Sequence, residues 1–105
     1  MTPYRNRAYL DATEGLPCIR CKKQDGTVVP AHYSGFQAHY LGKGGGQKAS
    51  DLAVADLCDA CHREFDGYEL GNTIERSQEF LILILRTLER RTQNGWVLKL
   101  ESARD

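Results

Sequence analysis

The most regular stretch of the chain lies near its C-terminal end. Polar, helix-favouring residues flank an apolar run at 80–85 on both sides, and a long segment of this kind favours a helix over a buried strand. We expect the helix to cover residues 73–93, with Asn72 as its N-cap, Glu75 as the capping-box partner and a stop at 94–95. Six apolar residues in a row exceed one helical face, so the run fills the core or meets a partner, which leaves a helix-mediated dimer open.

The remaining apolar pattern predicts short elements joined by turns rich in glycine and proline. Strand, loop, strand and helix in succession predict a ββα unit, and the added helix and strand make the whole a small α+β fold. In chain order the expected elements are a helix over 6–13, a strand over 27–29 that continues into 30–33, a loop over 34–50, a return strand over 51–57, a helix from about 59 to 67, the long helix and a closing strand over 96–100.

The length of 105 residues predicts a single domain, residues 1–105. We expect an N-terminal helical arm at 1–17, a core at 18–67, and a supporting helix and strand at 72–100. A domain of this size buries only about 60–65% of the surface of its unfolded chain. Its core is therefore thin, and a bound metal would add needed stability.

The composition excludes a disordered chain, because 41% of the residues are hydrophobic and 14 Lys and Arg balance 14 Asp and Glu. The longest apolar run has six residues, far below the roughly 20 of a membrane span. The first residues include arginine but no apolar stretch of a secretion signal. We therefore expect a soluble, cytoplasmic protein with no membrane partner.

Four cysteines form two CxxC pairs, Cys18 with Cys21 and Cys58 with Cys61. Each pair can turn two thiolates towards one ion, so the spacing predicts a tetrahedral structural Zn²⁺ site. Disulfides are not expected in a cytoplasmic protein, and a redox CxxC would explain only one pair. The ion would supply on the order of 10 kcal/mol of apparent binding energy to the fold. A site in which His62 replaces one cysteine is the alternative.

Two histidines stand at element boundaries. His32 lies where the first predicted strand runs into the loop, and His62 directly follows the last cysteine. Successive helical side chains point about 100° apart, so His62 faces the strands rather than the zinc, and Asp66 shares its face while Glu64 does not. This pair of imidazoles suits metal-assisted phosphodiester hydrolysis, in which a neutral histidine takes a proton from water. The alternatives are that His32 is an ordinary surface or core histidine and that His39 belongs only to a loop.

Charge is distributed unevenly along the chain. Residues 1–50 carry seven basic and three acidic residues, whereas residues 51–105 carry seven basic and eleven acidic ones. A basic half can contact a polyanion even in a neutral chain, and ordinary solvated surface is the alternative. The glycine-rich segment 42–46 lacks the residue order of a phosphate-binding P-loop, so nucleotide binding is not expected.

These motifs together resemble a known family. The first CxxC, then PAHY, then GKGGGQKASDLAVADLCDACHREFD are similar to the HNH endonucleases of the His-Me finger (treble-clef) class. Within that class the chain resembles the small YbcO-like nucleases of phages and prophages and the related Ref nucleases. The resemblance covers about residues 15–67 and implies a zinc-braced ββα core with an added C-terminal helix and short strand.

The resemblance assigns roles to individual residues. The four cysteines would hold the structural zinc, His32 would be the general base, and His62 would bind a catalytic Mg²⁺ or Mn²⁺ ion. Asp51 would stand in for the central asparagine of the class, which orients the base or holds the loop. Class members often have an acidic metal ligand just before the base, where this chain has Ala31.

Because Ala31 cannot bind a metal, other residues would have to complete the coordination shell of the catalytic ion. The candidates for these further ligands are Asp66, Asp51 and His39. The implied function is a metal-dependent DNA endonuclease of phage or prophage type, acting inside a bacterial host cell. No helix is rich in base-reading side chains, so we expect low sequence specificity.

The expected partner is DNA, and the likeness to the Ref nucleases adds a recombinase or another phage recombination protein. A zinc-braced module that binds nucleic acid or protein without catalysis is the alternative function. The expected DNA contacts are Arg5, Arg7, Lys22, Lys23, Lys43, Lys48 and Arg63, of which Lys43, Lys48 and Arg63 would lie closest to the scissile phosphate.

Overall fold

The computed structural model describes residues 3–66 and 73–95. These ranges form a small α+β fold with three α-helices and a two-stranded sheet, as the sequence predicts. The expected closing strand at 96–100 lies outside the described residues. In chain order the elements are helix α1 (Arg7–Asp11), strand β1 (Val29–His32), a 3₁₀ helix (Ala38–Leu41), strand β2 (Val54–Leu57), helix α2 (Asp59–Asp66) and helix α3 (Ile74–Gln93).

The two strands are antiparallel, with Val29 opposite Leu57 and His32 opposite Val54. All four residues of β2 are buried, because the strand contacts both β1 and α3. The edge at which β1 ends and β2 begins carries His32. This edge is the part of the sheet from which the candidate site is built.

The first strand begins later than predicted, because hydrogen bonds hold Thr27 in a turn. Its backbone N–H and its hydroxyl both donate to Asp25 Oδ1, at 3.0 and 2.6 Å. The hydroxyl oxygen also accepts the backbone N–H of Asp59 at 3.0 Å, which satisfies one of the free N–H groups at the start of α2. The prediction of a strand over 27–29 is therefore wrong for its first two residues.

The return strand is also shorter than predicted, since residues 51–53 form a turn. Ala53 N–H donates to the Ser50 carbonyl at 2.9 Å, and Leu52 N–H donates to the Ser50 hydroxyl at 3.1 Å. The expected loop at 34–50 contains a 3₁₀ helix, which buries Ala38 in the core, and a tight turn closed by an antiparallel bridge between Gly44 and Gln47.

Polar side chains cap the N-termini of helices α1 and α3. The Asn6 side chain accepts the Tyr9 N–H at 3.0 Å, so α1 begins one residue after the predicted start. At α3 the Thr73 hydroxyl accepts the Arg76 N–H at 3.1 Å. The N-cap is thus one residue later than predicted, and Asn72 itself lies outside the described residues. Helix α3 ends at Gln93 as expected.

The apolar run of α3 is divided between the core and the surface. Phe80 is buried and packs against Tyr33, with ring centroids 5.2 Å apart, and against Phe65, with centroids 4.8 Å apart. Leu83 and Ile84 are buried beside it. The three exposed members of the run are Leu81, Ile82 and Leu85.

A buried ion network joins β2 to α3 and to the N-terminal arm. Asp56 is fully buried, and its Oδ1 accepts hydrogen bonds from Arg91 Nη2 at 2.9 Å and from the Thr13 hydroxyl at 2.6 Å. Its Oδ2 accepts from Arg90 Nη2 at 2.9 Å. The Thr87 hydroxyl accepts the backbone N–H of Asp56 at 3.2 Å.

In the described ranges no helix has the length and apolar character that crossing a membrane requires.

Candidate metal centre and histidine site

The four cysteines converge on one point. Their sulfur atoms all lie within 4.8 Å of one another, and Cys21 Sγ is 3.6 Å from Cys58 Sγ. Tetrahedral Zn–S bonds of about 2.3 Å require sulfur atoms about 3.8 Å apart, so the observed spacing fits such an ion. The cluster predicted from the two CxxC pairs is therefore assembled and could bind a metal such as zinc.

Backbone hydrogen bonds shape the first cysteine pair. Lys22 N–H donates to the Cys18 carbonyl at 2.9 Å, and Cys18 N–H donates to the Lys23 carbonyl at 2.8 Å. Lys22 has a φ of 69°, a left-handed conformation that residues other than glycine rarely adopt. This tight turn directs both sulfur atoms of the pair to the same side. The second pair lies at the start of α2.

The protonation of the sulfur atoms depends on their surroundings. Burial raises the pKa of Cys58, and neighbouring thiols add to the increase. Burial and neighbouring thiols also raise the pKa of Cys61, to about 12, although the hydrogen bond from Arg20 acts in the opposite direction. Burial acts in the same direction at Cys18, but hydrogen bonds from neighbouring backbone N–H groups outweigh it and lower the pKa to about 6. All four sulfur atoms can become thiolates together only when a cation balances their charge.

An ion-pair network connects the cysteine cluster to both adjacent helices. Arg20 lies between the two cysteines of the first pair and contacts Glu64 at 2.9 Å and Glu79 at 2.8 Å. Its guanidinium lies 5.1 Å from the centroid of the Phe65 ring. Arg76 contacts the same two carboxylates at 3.0 and 3.2 Å. The first CxxC turn is therefore fixed against α2 and α3 independently of the metal.

His32 contacts a buried carboxylate at the end of β1. Its Nε2 atom is 2.8 Å from Asp51 Oδ1, and the two side chains are 14% and 5% exposed. An ionised carboxylate can only accept a hydrogen bond, so Nε2 carries the hydrogen and Nδ1 of neutral His32 remains an acceptor. Two residues that the sequence placed in the site are thus brought together.

Asp51 also holds the N-terminal segment. It accepts hydrogen bonds from Arg5 Nη1 at 3.0 Å and from the Asn6 backbone N–H at 2.7 Å. Burial raises the pKa of Asp51, but hydrogen bonds from His32, Asn6 and Arg5 outweigh it and lower the pKa below its usual value. Arg5 also donates hydrogen bonds to the backbone carbonyls of Ala49, at 2.6 Å, and Lys48, at 2.7 Å, in the loop before Asp51. Its guanidinium therefore has an internal structural role that the sequence did not indicate.

His62 pairs with Asp66 on one face of α2, as the four-residue spacing predicts. The Nε2 atom of His62 is 2.9 Å from Asp66 Oδ2. Ser34, two residues beyond His32, contacts Asp66 Oδ1 through its hydroxyl at 3.4 Å. The end of α2 and the end of β1 therefore lie side by side. Glu64 faces elsewhere and contacts Arg20.

The other histidine-site candidates are arranged differently. Ala31 is buried in the core, so the position before His32 offers no ligand. His39 is exposed in the 3₁₀ helix, and its ring centroid is 4.3 Å from that of Tyr40. Among residues 3–66 and 73–95, no hydrogen bond or ion pair joins the His32–Asp51 pair directly to the His62–Asp66 pair.

The predicted DNA-contacting residues divide into two groups. Arg5 contacts Asp51, and Arg63 contacts Asp59 one turn away on α2 at 3.2 Å. The remaining five are exposed and form no ion pair with any other described residue. They are Arg7, Lys22, Lys23, Lys43 and Lys48.

Sequence reasoning missed the link between Asn6, Arg5 and Asp51. Asp51 lies 46 and 45 positions from Arg5 and Asn6 along the chain, and no local motif marks their contact. The one available signal was that Asp51 is an acidic residue directly before the apolar stretch 52–55. A carboxylate in such a position needs hydrogen-bond donors from elsewhere in the fold.

Comparison with known proteins adds no family assignment. No family model matches the chain, and no curated protein and no solved structure is significantly similar to it. The resemblance to HNH endonucleases therefore stays a prediction that rests on the motif residues.

Proposed function

We propose that this protein is a metal-dependent DNA endonuclease with a structural zinc site. The observation that carries the proposal is the contact of His32 Nε2 with the buried carboxylate of Asp51 at 2.8 Å. It gives a partly exposed imidazole a fixed orientation at the edge of the sheet. Such an arrangement is what a general base requires, because proton transfer depends on a positioned acceptor.

His32 would act through Nδ1. Asp51 holds the hydrogen on Nε2, so the free electron pair of Nδ1 can accept a proton from a water molecule. Arg5 and the Asn6 N–H keep the Asp51 carboxylate charged and in place. Asp51 is therefore a positioning residue for His32, which matches the role that the HNH resemblance gives to it.

His62 and Asp66 would hold the catalytic divalent ion. The two side chains share one face of α2, with His62 Nε2 2.9 Å from Asp66 Oδ2, so an ion that replaced this contact would have an imidazole nitrogen and a carboxylate oxygen as ligands. Such an ion stabilises negative charge on the phosphate and on the leaving oxygen. Ser34 contacts Asp66 from the end of β1, which supports a shared site with His32.

DNA would bind through its phosphates. The exposed cations Lys43 and Lys48 flank the glycine-rich part of the loop between the strands, and Lys22 and Lys23 follow the first cysteine pair. None of the four is engaged in an ion pair with another described residue, so their charges are available to a polyanion. Contacts of this kind do not read sequence, which agrees with the expected low specificity.

A cleavage assay tests the proposal directly. Zinc-loaded protein would be incubated with labelled single-stranded, duplex and branched DNA, with Mg²⁺, with Mn²⁺ or without added ion. Omission of the ion is the better control, since EDTA would also remove zinc. We expect ion-dependent products, and we expect His32→Ala to lower the rate by at least about 100-fold with zinc content unchanged.

His39→Ala is the matched control, because His39 is an exposed histidine without contact to Asp51. It should retain cleavage. Full activity of His32→Ala would contradict the assignment of the base. Equal losses in both variants would show that the assay reports a general effect of histidine removal.

The second candidate function is a zinc-braced module that binds nucleic acid, or a recombination protein, without cleaving DNA. One observation favours it: the position before His32 is the buried Ala31, where the class often has an acidic metal ligand. The same assay separates the two functions. DNA binding without products from any substrate or ion would support the module.

A further inference from the structure

One face of α3 carries exposed apolar side chains in a regular line. Ile74, Leu81 and Leu85 follow one another at intervals of seven and four residues, so they lie within about 40° of one another around the helix. Ile74 and Leu85 are 62% and 65% exposed. Ile82, 57% exposed, lies beside them. We call these four residues the α3 stripe. A contiguous exposed apolar line of this kind marks an interaction surface.

A groove next to the stripe has the form of a helix-packing hole. Its helical lining residues are Ile74, Ser77, Gln78 and Leu81, and Phe36 covers one side from the loop. The groove has a volume of about 340 Å³. Residues at i, i+3, i+4 and i+7 are the four that surround an inserted side chain when two helices pack knobs into holes.

We propose that a second copy of this chain docks on the α3 stripe in an antiparallel orientation, with Leu85 of each copy inserted into the groove of the other. The four stripe residues are centred between positions 80 and 81. A two-fold axis at that point brings Leu85 opposite position 76 of the partner helix, because rise per residue is constant. Position 76 lies within the span of the groove, whose helical lining residues run from Ile74 to Leu81.

The charges beside the stripe favour the same arrangement. Glu75 and Arg86 lie equally far from the centre of the stripe and about 100° and 120° around the helix from Ile74, hence on one edge. In the antiparallel pair each Glu75 lies on the same edge and at the same level as the other copy's Arg86, so opposite charges can meet. A parallel two-fold pair would place the two copies of this edge on opposite sides of the interface, where neither charge has a partner. Neither residue forms an ion pair with another described residue of its own chain.

A second copy fits better than an unrelated helix because the stripe supplies both halves of the contact. Each chain offers the protruding Leu85 and the groove that receives it, and each offers one acidic and one basic partner. Self-complementary surfaces of this kind produce two-fold dimers. The interface is small, so we expect a reversible dimer rather than a permanent one.

The test measures molar mass in solution. Zinc-loaded protein comprising residues 1–105 would be studied by light scattering after gel filtration, over about 1 µM to about 1 mM, the range in which a weak dimer dissociates. We expect the mass to rise from 11.8 kDa to twice that value. Leu85→Glu should stay monomeric at all concentrations. The control Tyr40→Glu, which charges a 70% exposed side chain outside the stripe, should dimerise normally.

Charge reversal tests the orientation. Glu75→Arg and Arg86→Glu should each weaken the dimer at least about tenfold, because each places like charges opposite one another, and the double variant should restore it. A wild-type monomer at every concentration, or a dimer unaffected by Leu85→Glu, would overturn the proposal. A double variant as weak as the single ones would overturn the antiparallel register. These outcomes do not depend on nuclease activity.

Discussion

The buried carboxylate of Asp56 gives the most stringent test of the energetics of this fold. Asp56→Asn keeps the size of the side chain but removes its charge. Arg91, whose side chain is 1% exposed, would then keep a positive charge in the interior without a counter-charge there. Arg90, at 19% exposed, can still reach water.

The expected cost follows from this geometry. Removing one partner of a buried ion pair costs about 3–5 kcal/mol, because the remaining charge is desolvated and uncompensated. A chain of this length has a free energy of unfolding of roughly 5–15 kcal/mol, so the loss is a large part of the total. At about 4–8 °C per kcal/mol, the melting temperature should fall by at least about 12 °C.

Thermal and urea unfolding, followed by circular dichroism in saturating zinc, would measure the loss. Asp59→Asn is the matched control, since Asp59 makes the same type of contact with Arg63 at the surface, where both side chains are more than 60% exposed. Exposed pairs contribute about 0–1 kcal/mol. An Asp56→Asn variant no less stable than Asp59→Asn would refute the reasoning.

Three further predictions follow from the metal cluster, a helix cap and the His32 site. Cys58→Ser should abolish zinc binding and cooperative unfolding, as measured by metal content and thermal melts; zinc affinity should fall as pH is lowered, because protons compete for the thiolates. Thr73→Ala should destabilise the protein by about 1 kcal/mol in urea unfolding, through loss of the N-cap of α3; an unchanged midpoint would show that the cap is dispensable. The pKa of Asp51 is lowered in the folded state, so its contribution to stability should be present above its ordinary pKa of 3.8 and be lost as pH falls below that value. Asp51→Asn should flatten this acid limb of a stability–pH profile, and an identical profile would contradict the assignment.

Features with a local signal could be predicted from the sequence. The two CxxC pairs indicated the cysteine cluster because ligand spacing within each pair is local. The C-terminal end of α3 followed from the turn residues at 94–95, and the pairing of His62 with Asp66 followed from helical periodicity. His32 falls at the end of a strand as expected.

Features that depend on tertiary contacts could not be predicted in this way. Thr27 looks like a strand residue, but its hydrogen bonds to Asp25 and Asp59 hold it in a turn. Arg5 looks like a surface cation, yet it lies against Asp51, 46 positions away. Charged side chains carry no periodic signal, so their partners emerge only when the chain is folded.

The buried hydrogen bond from Arg91 to Thr13 joins residues 78 positions apart, and this separation bears on how the protein is made. During synthesis the cysteine cluster is complete once residue 61 has emerged, whereas the N-terminal arm has no anchor on α3 until residue 91 has emerged as well. We expect the nascent protein to hold its zinc while Asp56 still lacks its arginines. Chains that end before position 90 should therefore retain metal but be cut by protease more readily near Thr13, which lacks Arg91, than near Arg5 and Asn6, which Asp51 still holds.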